Sequence, residues 1–242
     1  MSGPPTLLLA LALIGCAVIP ASRRVEASLD RAHVAVPLVS PDCSGVLVNP
    51  QYVLTAAHCV SAGATRAVSF VGARRHLARV DGCRIHPGAL EGGGDCGDIE
   101  PWQTVREHDL AMLHLAEPVP RTVAAPHPIL LDAPTDARFW QRQSLLLVGW
   151  HRRPALVGPA RRYAGLNRVE TLEGPLLRTL PIGEQGFSTE VGASGGPALW
   201  RLREREGVVG VLFGGRRASS PDSIYAATFH PENASWIASA LR

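Results

Sequence analysis

The chain has 242 residues, of which 46% are apolar and 19% charged. That balance excludes a disordered chain, and the length suffices for one large all-β domain or two small ones. A net charge of +3, from 24 basic and 21 acidic side chains, is too small to imply a nucleic-acid partner.

Every basic residue is Arg, a bias in keeping with a GC-rich bacterial genome. Leu7 to Ile14 is an apolar run about as long as a signal-peptide core and too short to cross a bilayer as a helix. It ends in Leu13-Ile14-Gly15-Cys16, which resembles the bacterial lipoprotein cleavage signal. Residues 1–16 are therefore read as a signal peptide of lipoprotein type, with Cys16 as the lipid attachment site. The alternative is an ordinary signal peptide cut a few residues later, with Cys16 discarded. Either way the chain is exported, and it meets a membrane only through such an anchor. Residues 17–32 are polar, carry Arg23-Arg24, and read as a tether.

From Val34 onward, short apolar runs alternate with turn residues. Val46-Leu47-Val48 precedes Asn49-Pro50, and Val68 to Val71 precedes Gly72. Leu110 to Leu115, Leu145 to Val148 and Val208 to Phe213 follow. Short runs punctuated by Gly and Pro predict an all-β sandwich or barrel. A Pro- and Ala-rich stretch, Glu117 to Ala137, divides the chain into two similar halves and reads as a crossing between two small barrels. Helical periodicity is expected only over Glu232 to Leu241, with Trp236, Ile237 and Leu241 on one face and Asn233 as a cap. Asn233-Ala234-Ser235 is also a formal glycosylation acceptor, although helix placement argues against its use. Glu91 to Asp98 reads as an acidic, Gly-rich solvated loop without the pattern of an EF-hand. The Arg pairs at 74–75, 152–153, 161–162 and 216–217 read as solvated surface.

Of five Cys, four remain once Cys16 is set aside, an even number in an exported chain. They allow three pairings, of which the local one, Cys43–Cys59 with Cys83–Cys96, is preferred. Zinc on Cys83, His86 and Cys96 is the weaker alternative, because no fourth ligand is evident.

Three segments carry chemistry. Val53-Leu54-Thr55-Ala56-Ala57-His58-Cys59, with Cys43-Ser44-Gly45 upstream, resembles the histidine motif of the trypsin/chymotrypsin family of serine proteases. His108-Asp109-Leu110-Ala111-Met112-Leu113 resembles that family's aspartate motif, and Gly192-Ala193-Ser194-Gly195-Gly196-Pro197 its nucleophile motif. The resemblance extends over roughly residues 33–242. It includes the Leu115 to Leu131 crossing, Gly149-Trp150, and Ile224-Tyr225-Ala226. It implies two antiparallel six-stranded β-barrels, one about 33–125 and one about 138–230, followed by a C-terminal helix at 232–241. It also implies a serine endopeptidase in which Ser194 attacks the carbonyl, His58 moves the proton and Asp109 orients His58. The backbone N–H groups of Gly192 and Ser194 would form the oxyanion hole, and Ser188, Thr189, Gly215 and Ser223 would line the substrate pocket. No metal or organic cofactor is implied; the expected partner is a protein or peptide substrate, and the expected state is a monomer. An inactive binding module on the same fold is the alternative.

The chain departs from the family at several points. Ala193 stands where an Asp usually pairs with a newly released N-terminus, and no Ile-Val-Gly-Gly activation sequence is present. Ser188 replaces the trypsin group's pocket Asp, so the pocket disfavours Lys and Arg. Glu190 replaces a Cys that ties the same loop, which is then expected to shift and expose its charge. Phe213 replaces a Ser that hydrogen-bonds the aspartate. Arg216 and Arg217 would favour acidic substrate residues.

Overall fold

The computed structural model describes residues 23–24, 33, 35–40, 42–60, 65–90, 96, 106–151, 161–202, 205–215 and 221–242. Cys16, the acidic loop at 91–95 and 97–98, and the Arg pairs at 152–153 and 216–217 lie outside the described residues.

Strands β2 (Leu38–Ser40), β3 (Cys43–Ser44), β4 (Val46–Asn49), β5 (Tyr52–Thr55), β6 (Ala67–Val71), β7 (Arg75–Ile85) and β8 (Ala111–Leu115) make the first sheet. They pair in the order β3-β2-β6-β7-β8-β5-β4. Only Gly45 separates the two end strands, so the sheet curls back on itself through one bent segment. The second sheet contains β9 (Ser144–His151), β10 (Arg161–Glu173), β11 (Leu176–Pro181), β12 (Pro197–Leu202), β13 (Arg205–Gly214) and β14 (Ser223–Ala227). It is ordered β10-β11-β14-β13-β12-β9, and the β9–β10 pairing closes it as a six-stranded barrel. All pairings in both sheets are antiparallel. The fold is all-β and chymotrypsin-like.

Apolar runs without strict alternation fit this architecture. Every residue of β14 is buried, because one strand face fills the barrel and the other meets a neighbouring element. One core cluster contains Leu47, Leu54, Phe70 and Leu113, and extends onto Val148, Trp150 and Val211 of the second barrel. A second cluster fills that barrel with Leu145, Leu177, Phe187 and Trp200. The crossing runs between them: His127 N–H donates to Leu47 O and Leu130 N–H to Val208 O.

Several local features depart from the sequence reading or add to it. Within the expected tether, Arg23–Arg24 is a short strand (β1) paired with Ala164 and Tyr163 of β10. Helix α1 (Ala137–Trp140) was not foreseen; Asp136 caps it by accepting from Arg138 N–H at 2.9 Å. Arg162 is not solvated surface. It is 2% exposed, donates to Val71 O at 3.0 Å, and lies over the Trp150 ring. Adjacent strand residues face opposite ways, so Arg161 points out and Arg162 points in.

Helix α2 (Pro231–Ala240) closes the chain, with Pro at its start and His230 as N-cap. Asn233 is therefore inside the helix and is no cap. It is fully buried: its Nδ2 donates to Ala227 O and Glu107 O, and its Oδ1 faces His108 Nδ1 at 2.9 Å. This burial also removes it as a glycosylation acceptor. Among the described residues, no helix is long and apolar enough to cross a membrane.

Candidate active site

Strand β5 ends at Thr55, and a 3-10 turn, Ala57–Val60, carries His58. Its neighbour Cys59 is bonded to Cys43 of β3, with Cα atoms 5.8 Å apart. Asp109 is 1% exposed and follows another 3-10 turn, Arg106–His108, just before β8. It accepts twice from His58. The backbone N–H reaches Oδ1 at 2.9 Å, and ring Nδ1 reaches Oδ2 at 2.5 Å. A carboxylate at Nδ1 holds the proton there, which makes Nε2 the basic nitrogen of the neutral ring.

Ser194 follows Gly192 and Ala193 in a turn closed by Ala193 N–H donating to Glu190 O at 3.0 Å. Gly192 has φ of +100° and Gly195 of +80°, values that disfavour any side chain. At Gly195 a Cβ would also strike Ser44 O and Thr55 Oγ1. Gly195 N–H is committed to Leu212 O and Gly196 N–H to Ala193 O. By contrast, the N–H groups of Gly192 and Ser194 have no backbone acceptor among the described residues. Two such groups flanking one residue are suited to a developing negative charge.

Phe213 links the histidine to the serine. Its ring meets His58 edge-on at 5.7 Å, and its carbonyl receives a long hydrogen bond, 3.4 Å, from Ser194 Oγ. Arg106 also lies over this ring, 5.1 Å from its centroid. Phe213 therefore packs where the family has a hydrogen-bonding Ser, and Asp109 draws its two bonds from His58.

The residues expected to line the substrate pocket come from three segments. Ser188 is buried, Thr189 is half-buried and Ser223 is buried. Thr189 Oγ1 donates to Ser223 Oγ at 2.7 Å. Behind them Tyr225 is 1% exposed; burial pushes its phenol well above the ordinary value, against a smaller opposing effect of its hydrogen bond with Ser223. Gly215 is partly exposed just after β13. The three pocket side chains named from sequence, Ser188, Thr189 and Ser223, are neutral hydroxyls.

Glu190, whose loop was expected to be free to shift and expose its charge, is half-buried. Glu190 faces His151 Nδ1 of β9 at 3.5 Å, and His151 stacks on Tyr163 and meets Phe187 edge-on. This side-chain contact to β9 stands where the family uses a disulfide. Sequence reading also missed Ser44, which is fully buried beneath the turn, and Arg106. The position of Ser44 beside Cys43 was its only signal.

Cys83 and Cys96 form the second disulfide, with Cα atoms 6.1 Å apart, which leaves no thiolates for zinc. His86 instead accepts from Gly88 N–H at 3.0 Å and stacks on His108, ring centroids 4.5 Å apart. Among the described residues the one grouping with metal-ligand spacing is Cys43, His58 and Cys59, and its sulfurs are tied to each other.

A family model described as Trypsin matches residues 20–237, beginning within the segment expected as a tether. No curated protein sequence matches the chain. Among solved structures, human heparin binding protein is similar, with a TM-score of 0.68 at 14% identity over 90% of this chain and 95% of that one. At that identity the likeness speaks to the fold alone.

Proposed function

The chain belongs to the trypsin family, and from this premise we propose that it is a serine endopeptidase. Ser194 is the nucleophile, His58 the general base and then acid, and Asp109 the group that fixes the imidazole. The observation that carries the reading is the double hydrogen bond from His58 to buried Asp109, on the fold that brings the Ser194 turn to the same Phe213.

In the first step Ser194 Oγ attacks the substrate carbonyl while its proton passes to His58 Nε2. The oxyanion is received by the Gly192 and Ser194 N–H groups. The imidazolium then protonates the leaving amine, and an acyl ester remains on Ser194. Water deprotonated by His58 cleaves that ester and regenerates the hydroxyl. No step requires a metal or cofactor. A pocket lined by the hydroxyls of Ser188, Thr189 and Ser223 suits a small or neutral residue before the scissile bond, since none of these three side chains is a counter-ion for a buried Lys or Arg.

Two disulfides fit an oxidising, extracytoplasmic setting. We read the leader as a lipoprotein signal that anchors a monomeric enzyme through Cys16. In a bacterial host the wild type should then partition with membranes and Cys16→Ser should not; an unmodified N-terminus beyond residue 16 would refute the anchor.

The experiment for the activity is digestion of a peptide library with mass-spectrometric reading of the new termini. Wild type should cut after neutral residues and Ser194→Ala should not cut. A binding module on the same fold is the second reading, favoured by Phe213 in place of the family's Ser. It predicts no new termini from either protein.

A further inference from the structure

The sequence raises a physical problem at the nucleophile turn. Gly192 and Gly195 bracket Ser194, and both have positive φ. Glycine has more backbone freedom to lose than any other residue, so such a turn needs an external hold. The family's hold is a carboxylate before the nucleophile, and here that position is Ala193, which is fully buried. An ion pair at that point is chemically impossible in this chain.

Resting on the protease reading, we propose that Ser44 is the positioning residue that holds the oxyanion turn in place of that ion pair. Ser44 is 0% exposed, and each of its polar groups is used. Its backbone N–H donates to Ser194 O at 2.7 Å. Its Oγ donates to Gly192 O at 2.7 Å and accepts from Trp150 N–H at 2.8 Å. Its own carbonyl accepts from Thr55 Oγ1 at 2.7 Å.

The direction of the hydroxyl proton follows from these partners. Trp150 N–H can only donate and Gly192 O can only accept, so the single O–H of Ser44 must point at Gly192. The carbonyls of Gly192 and Ser194 are thus both pinned to one residue of β3, and the run between them carries both candidate oxyanion donors. Trp150 of β9 anchors the hydroxyl from the opposite barrel. The preceding residue, Cys43, is bonded to Cys59 beside His58. Two consecutive residues therefore set the histidine segment and the serine turn against each other. Because these bonds are neutral and internal to the folded domain, the turn requires no processed N-terminus to order it.

The test compares wild type, Ser44→Ala and Ser44→Thr by amide hydrogen exchange over residues 191–196 and by fluorophosphonate labelling kinetics. In Ser44→Ala, exchange should rise at least tenfold in that segment. The inactivation rate constant should fall by about tenfold to a hundredfold, while the probe's apparent affinity and the melting transition are kept. Ser44→Thr, which retains the hydroxyl, should restore exchange and labelling to within about threefold of wild type. Exchange and labelling within twofold of wild type in Ser44→Ala would overturn the proposal. So would equal losses in the Thr and Ala variants, or loss of the melting transition in Ser44→Ala, which would make the role global. The exchange comparison needs no catalysis. A folded wild type that resists the probe would refute the protease reading, and exchange would still decide whether Ser44 holds the turn.

Discussion

Replacing Ala193 by Asp restores the residue the family normally carries, yet in this chain it should do harm. Ala193 is fully buried, and the opposite wall is close. A Cβ built on Gly149 would come within 3.2 Å of the Ala193 Cβ and of the Phe187 ring. A carboxylate there is enclosed by apolar groups, and an uncompensated buried charge of this kind costs about 3–5 kcal/mol. For a domain of this size, each 1 kcal/mol lowers the melting temperature by roughly 2–4 °C, so a fall on the order of 10 °C is expected at neutral pH. The sign with pH is also fixed. Burial raises the folded-state pKa of the new carboxyl above its unfolded value of about 3.9. The unfolded chain then releases its proton first, and the penalty grows as pH rises above that value. The assay is paired melting of wild type and Ala193→Asp at about pH 4.5 and 7.5, with fluorophosphonate labelling alongside. A smaller difference at the lower pH and slower labelling at both are expected. An unchanged or raised melting temperature, or faster labelling, would show that an ammonium group does reach residue 193, and the reasoning would fail.

Other outcomes follow from the same structure. Asp109→Asn should leave the fold intact but lower kcat by about 10⁴-fold, because the imidazole loses the acceptor that holds its proton on Nδ1; steady-state kinetics on a cleaved peptide checks it. His86 is held down to about 4 by burial, with His108 beside it adding to the effect. The unfolded chain takes up that proton first, so stability should fall as pH drops from about 6.5 to 4, by at most on the order of 3 kcal/mol. Urea titrations across that range should show a shallower slope in His86→Asn. Asn233→Ala removes three hydrogen bonds, one buried and two partly buried, and should cost about 2–3 kcal/mol in denaturant unfolding. Opening the Cys43–Cys59 bridge, a separation of 16 residues, should cost about 3 kcal/mol; thermal melts with and without reductant read it.

The barrels were legible because short apolar runs and turn residues are local signals, and the His58, Asp109 and Ser194 segments because each is a contiguous motif. What the sequence hid is long-range or depends on which way a side chain faces. Ser44 reaches partners 148 and 106 residues away, and its place beside Cys43 was the one local sign that it is not a surface Ser. Arg162 looked solvated as one of an Arg pair, but strand alternation turns it inward onto Trp150. Asn233 has the composition of a helix cap, but Pro231 starts the helix earlier and carries Asn233 into the core. The Glu190 loop lacks the family's Cys, and the side chain that Glu190 meets, His151, lies on a different strand. The resemblance supplied Ser188, Thr189 and Ser223, whereas the hydrogen bond between Thr189 and Ser223 emerged only from the fold.

The central claim is an activated serine, and covalent labelling tests it most directly. The purified, folded chain is treated with a fluorophosphonate between about pH 6 and 9, and the adduct is located by mass spectrometry. The account predicts one adduct, on Ser194, which Ser194→Ala and His58→Ala both abolish. A folded wild type that acquires no adduct across that range, or acquires it on another residue, would contradict it.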